Sequence, residues 1–309
     1  MTTTIRTLIV FLITVVYAAC YPAIEAGLPF APPFLFGGLR ALIGGLGLLL
    51  LAAVLGKPVL PPQGSWWRVI SLGLITTTFV FSAMFHATGM KGAGIASVLG
   101  NTQPLIVMIL AALFLSERIT RSKILALVLG LGGIALISYS AWKGAGASDL
   151  SGGAFALAAS GGASVGNLIV KRMGMRLDLL TITGWQLIAG GLPMLALYAV
   201  AERKVPVIWS GTFIGLLLFL SVVGTALVTF LWYWIVARED VGRLSMFLFL
   251  VPVFGMGISA LVFREKVSAL EGIGSALIVA GVGAAALAYE HKGVPIHFDK
   301  KRQLKDKMQ

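Results

Sequence analysis

The sequence predicts an all-α membrane protein with ten transmembrane helices, built as two inverted repeats of five helices each. Three observations predict this class. Hydrophobic residues make up 58% of the 309-residue chain and charged residues only 12%, whereas soluble domains carry roughly 25% charged residues. Apolar runs of about twenty residues, the length needed to cross ~30 Å of hydrocarbon, recur along the whole chain. A pattern in the first half also recurs 148 positions later without a gap.

The internal repeat is clearest between residues 94–133 and 242–281. In both copies an apolar run with a central proline, Pro104 or Pro252, leads into a turn that joins a glutamate to a cation. Apolar composition inflates chance identities, but it does not by itself produce a shared proline and a shared charged turn. We therefore interpret the pattern as an internal duplication.

The duplication predicts the domain organisation. The first five-helix repeat covers residues 1–144 and the second covers residues 145–290. Residues 291–309 are polar and basic, and we expect them to form a cytoplasmic tail. An offset of 146 aligns the earlier spans of the two repeats in the same way that the offset of 148 aligns the later ones.

Each predicted span is an apolar run bounded by prolines, glycines or charged residues. The ten spans are 5–25, 32–55, 66–88, 92–115, 122–141, 152–172, 179–201, 211–236, 241–263 and 269–289. Short connections separate the spans and hold many of the turn-forming residues. Glycine is abundant, with 38 residues, as expected where helices approach one another closely in lipid.

The distribution of Lys and Arg predicts the orientation. If the N-terminus is placed in the cytoplasm, 17 of the 24 cations fall in inside segments and 6 in outside segments. We therefore expect a multi-pass protein of the bacterial inner membrane with both termini in the cytoplasm. Because each half has five spans, the second half must run in the opposite sense to the first. This is the inverted-topology repeat of many secondary transporters.

The pattern resembles the EamA branch of the drug/metabolite transporter superfamily over about residues 5–289. The most specific match is the stretch Val251-Pro252-Val253-Phe254, followed by the turn Phe263-Arg264-Glu265-Lys266. Within that branch the chain is most similar to YddG-type bacterial exporters of aromatic and other amino acids. The resemblance implies a basket-like bundle with a central cavity, whereas the pattern itself indicates only the helices and their inversion.

Polar residues at membrane depth are the first candidates for a site. Pro104, near the midpoint of span four, removes one helical hydrogen bond and frees the carbonyl of Gly100. Asn101 begins a polar cluster beside it, whereas the stretch before Pro252 is apolar. We predict that Pro104 and Pro252 kink their helices and act in gating, and that Asn101 contacts the substrate. Interhelical hydrogen bonding that only holds the bundle together is the alternative.

A second candidate is a stripe on span one. Tyr17, Tyr21 and Glu25 follow one another at four-residue steps and share a helix face, and Asn167 of span six is the copy of Tyr21. We predict that both tyrosines and Asn167 bind the substrate. Glu25 either binds one end of a zwitterion or simply ends its helix. Arg40, inside span two, either extends its charge to the interface or pairs with Glu25.

Spans three and eight are copies of each other and supply the remaining candidates. Phe79, Ser82 and His86 form a stripe in span three, and Thr229 and Trp232 share a face in span eight. We assign these five residues to the substrate cavity, where aromatic rings favour flat, amphipathic molecules. A purely interfacial role is the alternative for His86. No metal-binding or phosphate-binding motif is present, so we predict neither a metal, nor a cofactor, nor an enzyme.

These features predict a secondary transporter that exports small amphipathic metabolites by alternating access through a central cavity between the repeats. Amino acids, aromatic ones among them, are the favoured substrates. A carrier of another metabolite, such as a nucleotide sugar or a drug, and a non-transporting scaffold or receptor are the alternatives. The predicted partners are the substrate and the lipid bilayer. The net charge of +12 is spread over loops and tail, so no nucleic-acid partner is predicted. A monomer is compatible with the sequence.

Overall fold

The structure is a computed structural model that describes residues 3–89, 99–139, 147–174, 177–263 and 267–290, and within these ranges the elements are helices joined by turns. The helices are α1 (Thr3–Gly27), α2 (Pro33–Val54), α3 (66–89), α4 (Gln103–Leu115), α5 (Arg121–Ile137), α6 (Ala147–Met173), α7 (179–202), α8 (211–236), α9 (241–263) and α10 (Ala269–Glu290). The fold class predicted from the sequence is therefore correct at the level of an all-α membrane protein.

Most of these helices are long enough to span a membrane. In the described ranges, eight helical stretches are long and apolar enough to cross a membrane, and α4 is a shorter apolar helix. By this criterion of length and composition, the predicted count of ten spans is not confirmed. The first part of predicted span four, residues 92–98, lies outside the described residues, as does the basic tail at 291–309.

The two repeats share an irregularity in their third helix. A π-helical segment interrupts α3 at Leu74–Phe79, and another interrupts α8 at Val222–Leu227. The two segments are separated by the repeat offset of 148 positions. A π-helical turn widens the backbone and is found frequently at functional sites. Its presence in both copies therefore makes this part of the bundle a candidate for the functional site.

Glycines bring α2 and α7 into close contact. A Cβ added to Gly45 would lie 2.7 Å from the carbonyl oxygen of Gly184, and one added to Gly38 would lie 3.3 Å from that of Gly191. The start of α2 thus meets the end of α7, and the later part of α2 meets its start, so the helices cross antiparallel. Gly38 and Gly45 are the copies of Gly184 and Gly191, which means that the repeat relates the two contacts.

The pair α5 and α10 crosses in the same manner. A Cβ on Gly133 would lie 2.4 Å from the carbonyl oxygen of Gly274, and one on Gly281 would lie 3.1 Å from that of Ala126. Ala126 and Gly133 are the copies of Gly274 and Gly281 at the offset of 148. Small residues allow such close backbone approach in lipid. Each of these two crossings therefore joins a helix to its own antiparallel copy.

Buried apolar clusters connect the two repeats at both ends of the bundle. One cluster joins Val10 and Ile13 of α1 to Val236 of α8 and Val241 of α9. The other cluster joins Ile24 and the start of α2 to the start of α8. We call the end that holds the first cluster and the start of α1 the N-terminal end. The candidate site lies between these two ends.

Candidate functional site

Three of the predicted site residues meet in a buried cluster between the repeats. Trp232 of α8 donates its indole N–H to Oδ1 of Asn167 in α6, at 2.8 Å. The ring of Tyr17 in α1 meets the Trp232 ring edge-on, with 6.4 Å between centroids. Trp232 is only 4% exposed and Asn167 3%. Nδ2 of Asn167 has no hydrogen-bond partner in the structure, so the cluster contains a buried, unpartnered amide donor.

Hydroxyl groups of the neighbouring helix α6 bond to the backbone carbonyls at the helix break in front of Pro104. The chain makes a turn at residues 101–102 before α4 begins. Ser160 of α6 donates its hydroxyl to the carbonyl of Gly100, and Ser164 donates to the carbonyl of Gln103 at 3.4 Å. The Gly100 carbonyl, to which Pro104 has no N–H to donate, thus bonds to a side chain of α6, and Pro104 lies in the first turn of α4 rather than inside a longer helix. These bonds join helices, which favours the structural role for this part of the cluster.

Asn101 and Pro252 are the remaining polar and kink positions that were predicted from the sequence. Asn101 is half-buried and makes its own interactions within the structure. Pro252 lies in the first turn of the segment Leu250–Phe263, directly after a 3-10 turn at Phe247–Phe249. The helical irregularity thus precedes both repeat-related prolines, although it takes a different form in each copy.

The three residues of the stripe on α3, Phe79, Ser82 and His86, differ in their exposure and in their contacts. Phe79 is 50% exposed and lies against Gly162 of α6. The hydroxyl of Ser82 is buried and has no hydrogen-bond partner in the structure. Nδ1 of His86 lies 2.7 Å from the carbonyl oxygen of Ser82, and the His86 ring is 4.9 Å from that of Phe34. Thr229 of α8 is half-buried.

Arg40 behaves differently from both of its sequence interpretations, whereas the exposed Glu25 lies in the last turn of α1, as expected of a residue that ends its helix. Arg40 is only 3% exposed. Its Nε donates to Oγ1 of Thr225 in α8 at 2.5 Å, and Nη2 donates to the carbonyl of Gly224 at 3.1 Å. Glu25 is exposed, and no ion pair joins it to Arg40 within the described residues. Arg40 therefore neither extends to the interface nor pairs with Glu25, but links α2 to α8.

Tyr21 lies near the boundary between the buried cluster and open space. Its side chain is 50% exposed, although it lies close enough to Cys20 and Arg40 to interact electrostatically with both. Tyr17, one turn earlier on α1, is half-buried against Trp232. Exposure therefore increases from Tyr17 to Tyr21, in the direction away from the N-terminal end.

A group of charged residues at the N-terminal end was not assigned to the site from the sequence. Nζ of Lys123 lies 2.8 Å from Oδ1 of Asp240 and 3.4 Å from Oε2 of Glu117. The Glu117 carboxylate also accepts hydrogen bonds from the backbone N–H groups of Val241 and Gly242, at 2.8 and 2.9 Å. It thus binds the start of α9, where the helix dipole favours an anion. We call Glu117, Lys123 and Asp240 the charged clamp.

The charged clamp joins the first repeat to the second. Glu117 and Lys123 come from the turn between α4 and α5 and from α5 itself, while Asp240 caps α9. Burial raises the pKa of the Glu117 carboxyl, and the nearby Asp240 adds to the rise. Burial alone would also raise the pKa of Asp240, but hydrogen bonds from Glu117 and Lys123 outweigh it and lower that pKa.

Two further contacts close the same end of the bundle. Arg6 at the start of α1 forms an ion pair with Glu239, and Lys171 at the end of α6 donates to the carbonyl of Glu239. The sequence contained one signal for this assembly, the repeated glutamate-cation turn at Glu117. It contained no comparable signal for Asp240, because Asp240 lies 123 positions after Glu117 in the chain.

Buried polar residues between two copies of a helical membrane unit are characteristic of membrane transporters. Comparison with known families agrees with this class. The EamA-like transporter family matches the chain twice, at residues 5–139 and 150–286. The chain belongs to this family, which is a branch of the drug/metabolite transporter superfamily, and the two matches confirm the duplication.

Relatives at modest identity cover most of the chain, and two of the three described next have transporter or efflux-pump names. PecM of Dickeya dadantii is 30% identical, with 85% of this chain and 88% of PecM covered. A "probable amino-acid metabolite efflux pump" of Salmonella typhimurium is 27% identical, with 88% and 91% covered. An uncharacterized transporter of Bacillus subtilis is 27% identical over 89% of each chain. The transporter and efflux-pump names among these relatives, together with the family, point to a protein that is not an enzyme.

A solved crystal structure shares the fold. It superposes with a TM-score of 0.81 at 21% identity and covers 95% of this chain and all of the other chain. Together with the apolar helices, the family places this protein among multi-pass membrane proteins that transport small molecules.

Proposed function

We propose that the protein is a secondary transporter that exports small amphipathic metabolites by alternating access, with amino acids, including aromatic ones, as the favoured substrates. The observation that carries this proposal is the buried cluster of Tyr17, Asn167 and Trp232 between the repeats. It offers aromatic faces and an unpartnered amide donor at membrane depth. Efflux pumps for amino-acid metabolites among the relatives support the substrate class.

The proposed architecture is ten transmembrane helices in two inverted repeats, 1–144 and 145–290. The antiparallel crossings of α2 with α7 and of α5 with α10 support it, because helices that are copies run in opposite directions. Arg121–Ile137 has 17 residues, or roughly 25 Å of helix, which is close to the hydrocarbon thickness. The cation distribution supports placing both termini, with the tail at 291–309, in the cytoplasm of a bacterial cell.

The substrate cavity lies between the repeats and is closed at the N-terminal end. The aromatic rings of Trp232 and Tyr17 hold the apolar body of the substrate. Nδ2 of Asn167 and the hydroxyl of Ser82 bind its polar groups, because both lack partners in the structure. The half-exposed Tyr21 and Phe79 line the path towards the opposite end, with Thr229 in the wall.

Alternating access then requires the repeats to rock about their glycine crossings. The charged clamp would open when the opposite end closes, and the helix irregularities before Pro104 and Pro252 would act as hinges. Asn101, beside one of these irregularities, would contact the substrate only as the helix moves. His86, packed between aromatic rings, would mark the far end of the path.

Transport by purified protein in liposomes tests this proposal. We expect flux of labelled phenylalanine or threonine above that of empty liposomes. Trp232→Ala should reduce the flux at least about tenfold, because it removes the central ring and leaves Asn167 without its partner. The matched control is Trp67→Ala, since Trp67 is 66% exposed and lies outside the cluster. Absence of flux for both amino acids with the unmodified protein would contradict the substrate class.

A further inference from the structure

Arg40 occupies a position whose repeat-related copy is neutral. Arg40 and Gln186 are copies at the offset of 146, and their contacts are copies as well. Gln186 accepts a hydrogen bond from Oγ1 of Thr77 at 3.0 Å, and Arg40 donates to Oγ1 of Thr225 at 2.5 Å. Thr77 and Thr225 are copies at the offset of 148, and both lie in the π-helical segments. The same interhelical link is thus made once by an amide and once by a guanidinium.

The charge of Arg40 is therefore not needed for the link. Taking a cation out of water is costly unless an anion compensates for it, and ionisable residues at membrane depth usually pair with one another. The partners of Arg40 are the Thr225 hydroxyl, the carbonyl of Gly224 at 3.1 Å and the sulfur of Cys20 at 3.9 Å. No carboxylate forms an ion pair with it in the described ranges, and Nη1 has no hydrogen-bond partner at all.

The surroundings of the guanidinium are aromatic. The ring of Phe81 lies 4.8 Å from the central carbon of the Arg40 guanidinium. Tyr17 and Tyr21 are close enough to interact with it electrostatically, and Tyr21 is half-exposed. A cation with a free donor among aromatic rings is complementary to a carboxylate that is attached to an apolar body.

We propose that Arg40 is an anion subsite of the transport site, where Nη1 binds the carboxylate of the substrate. The inference rests on the proposed transport function and specifies its substrates as small carboxylates with an apolar or aromatic body. Because Nη1 is covered in this conformation, the Phe81 or Tyr21 ring moves aside when the carboxylate enters. The bound carboxylate then supplies the negative charge that Arg40 lacks in the unliganded protein.

Ligand-induced thermal stabilisation of the purified full chain tests the subsite without requiring transport. The probes are phenylalanine, 3-phenylpropionate, which lacks the amine, and phenethylamine, which lacks the carboxylate. We expect both carboxylates to raise the unfolding temperature at millimolar concentration and phenethylamine to leave it unchanged. Arg40→Gln, which copies the residue accepted at position 186, should weaken the apparent affinity for 3-phenylpropionate at least about tenfold.

Two variants control this measurement. Arg40→Lys keeps the charge and should retain part of the stabilisation, since it loses only the planar fork of donors. Arg68→Gln removes the same unit charge from an exposed position and should bind 3-phenylpropionate as the unmodified protein does. If Arg40→Gln fails to fold, the affinity of Arg40→Lys for 3-phenylpropionate decides the question, because a carboxylate site elsewhere would leave that affinity unchanged.

The outcomes separate the subsite from the transport proposal. Equal stabilisation by phenethylamine, no stabilisation by either carboxylate, or unchanged affinity in folded Arg40→Gln would each overturn the subsite. If phenylalanine flux is present while one of these results is found, only the subsite is wrong. If carboxylate-dependent stabilisation is found without flux, the subsite stands and the transport proposal fails.

Discussion

Replacing Lys123 with methionine should open the charged clamp. The substitution keeps the length of the side chain and removes the ammonium group that lies 2.8 Å from Asp240 and 3.4 Å from Glu117. The Lys123 side chain is only 6% exposed, so water cannot replace the lost charge in the closed state. Two neighbouring carboxyl groups then remain at the start of α9 without their shared cation.

The size of the effect follows from the burial of each partner. Breaking a buried ion pair costs about 3–5 kcal/mol. The Asp240 side chain is 37% exposed, which reduces its share towards the ~0–1 kcal/mol of a surface pair. The backbone N–H groups of α9 continue to bind Glu117. We therefore expect the closed state to lose about 2 kcal/mol, a change of roughly 30-fold in the ratio of closed to open molecules.

Labelling of a single cysteine measures this ratio. In a Cys20→Ser background, Thr229→Cys places a thiol in the cavity wall. A membrane-impermeant maleimide then reports access from each face of the membrane. Lys123→Met should increase labelling from the face that carries the N-terminus by roughly 30-fold and decrease labelling from the other face.

An exposed ion pair serves as the control for the clamp. Nζ of Lys57 lies 3.5 Å from Asp178, and its side chain is 52% exposed, so Lys57→Met should leave both labelling rates unchanged. If Lys123→Met labels like its parent from both faces, the charged clamp does not close the bundle and the reasoning is refuted.

Three further predictions address packing, the site and pH. Gly133→Ala should destabilise the detergent-solubilised protein by ~1–3 kcal/mol, because its Cβ would lie 2.4 Å from a facing carbonyl oxygen; Gly132→Ala has open space, and equal losses of unfolding temperature would contradict the crossing. Trp232→Phe leaves Oδ1 of Asn167 without a donor, so it should cost ~1–3 kcal/mol of stability and lower phenylalanine flux. Unchanged values in both assays would contradict a role of this hydrogen bond in stability and transport. The pKa of Glu117 is raised above its ordinary value, so its contribution to clamp closure is complete below that ordinary value and is lost as pH rises through the raised one. Labelling from the N-terminal face should therefore increase as pH rises above the ordinary carboxyl range, and Glu117→Gln, which stays neutral, should flatten this profile.

Part of the candidate site could be predicted because its causes are local. Pro104 lacks an amide hydrogen, so a free carbonyl at Gly100 follows from covalent structure alone, and the structure satisfies it with Ser160. Helical period and the repeat assigned Tyr17, Asn167 and Trp232 to the candidate site one by one, but they did not predict that the three side chains meet. The partner of Arg40 did not follow, because Glu25 was nearer in sequence and opposite in charge, whereas Thr225 lies 185 positions away.

The sequence by itself determined that this is a duplicated, all-helical membrane protein of the transporter class. Apolar runs must leave water, their length matches the bilayer, and the recurring pattern indicates two copies of one helical unit. Only the tertiary structure decided which polar groups meet: Arg40 with α8, Lys123 with Asp240, and Trp232 with Asn167. These meetings depend on how far helices rotate and how closely their glycines allow them to approach. Those quantities come from packing over the whole bundle rather than from any single stretch of chain.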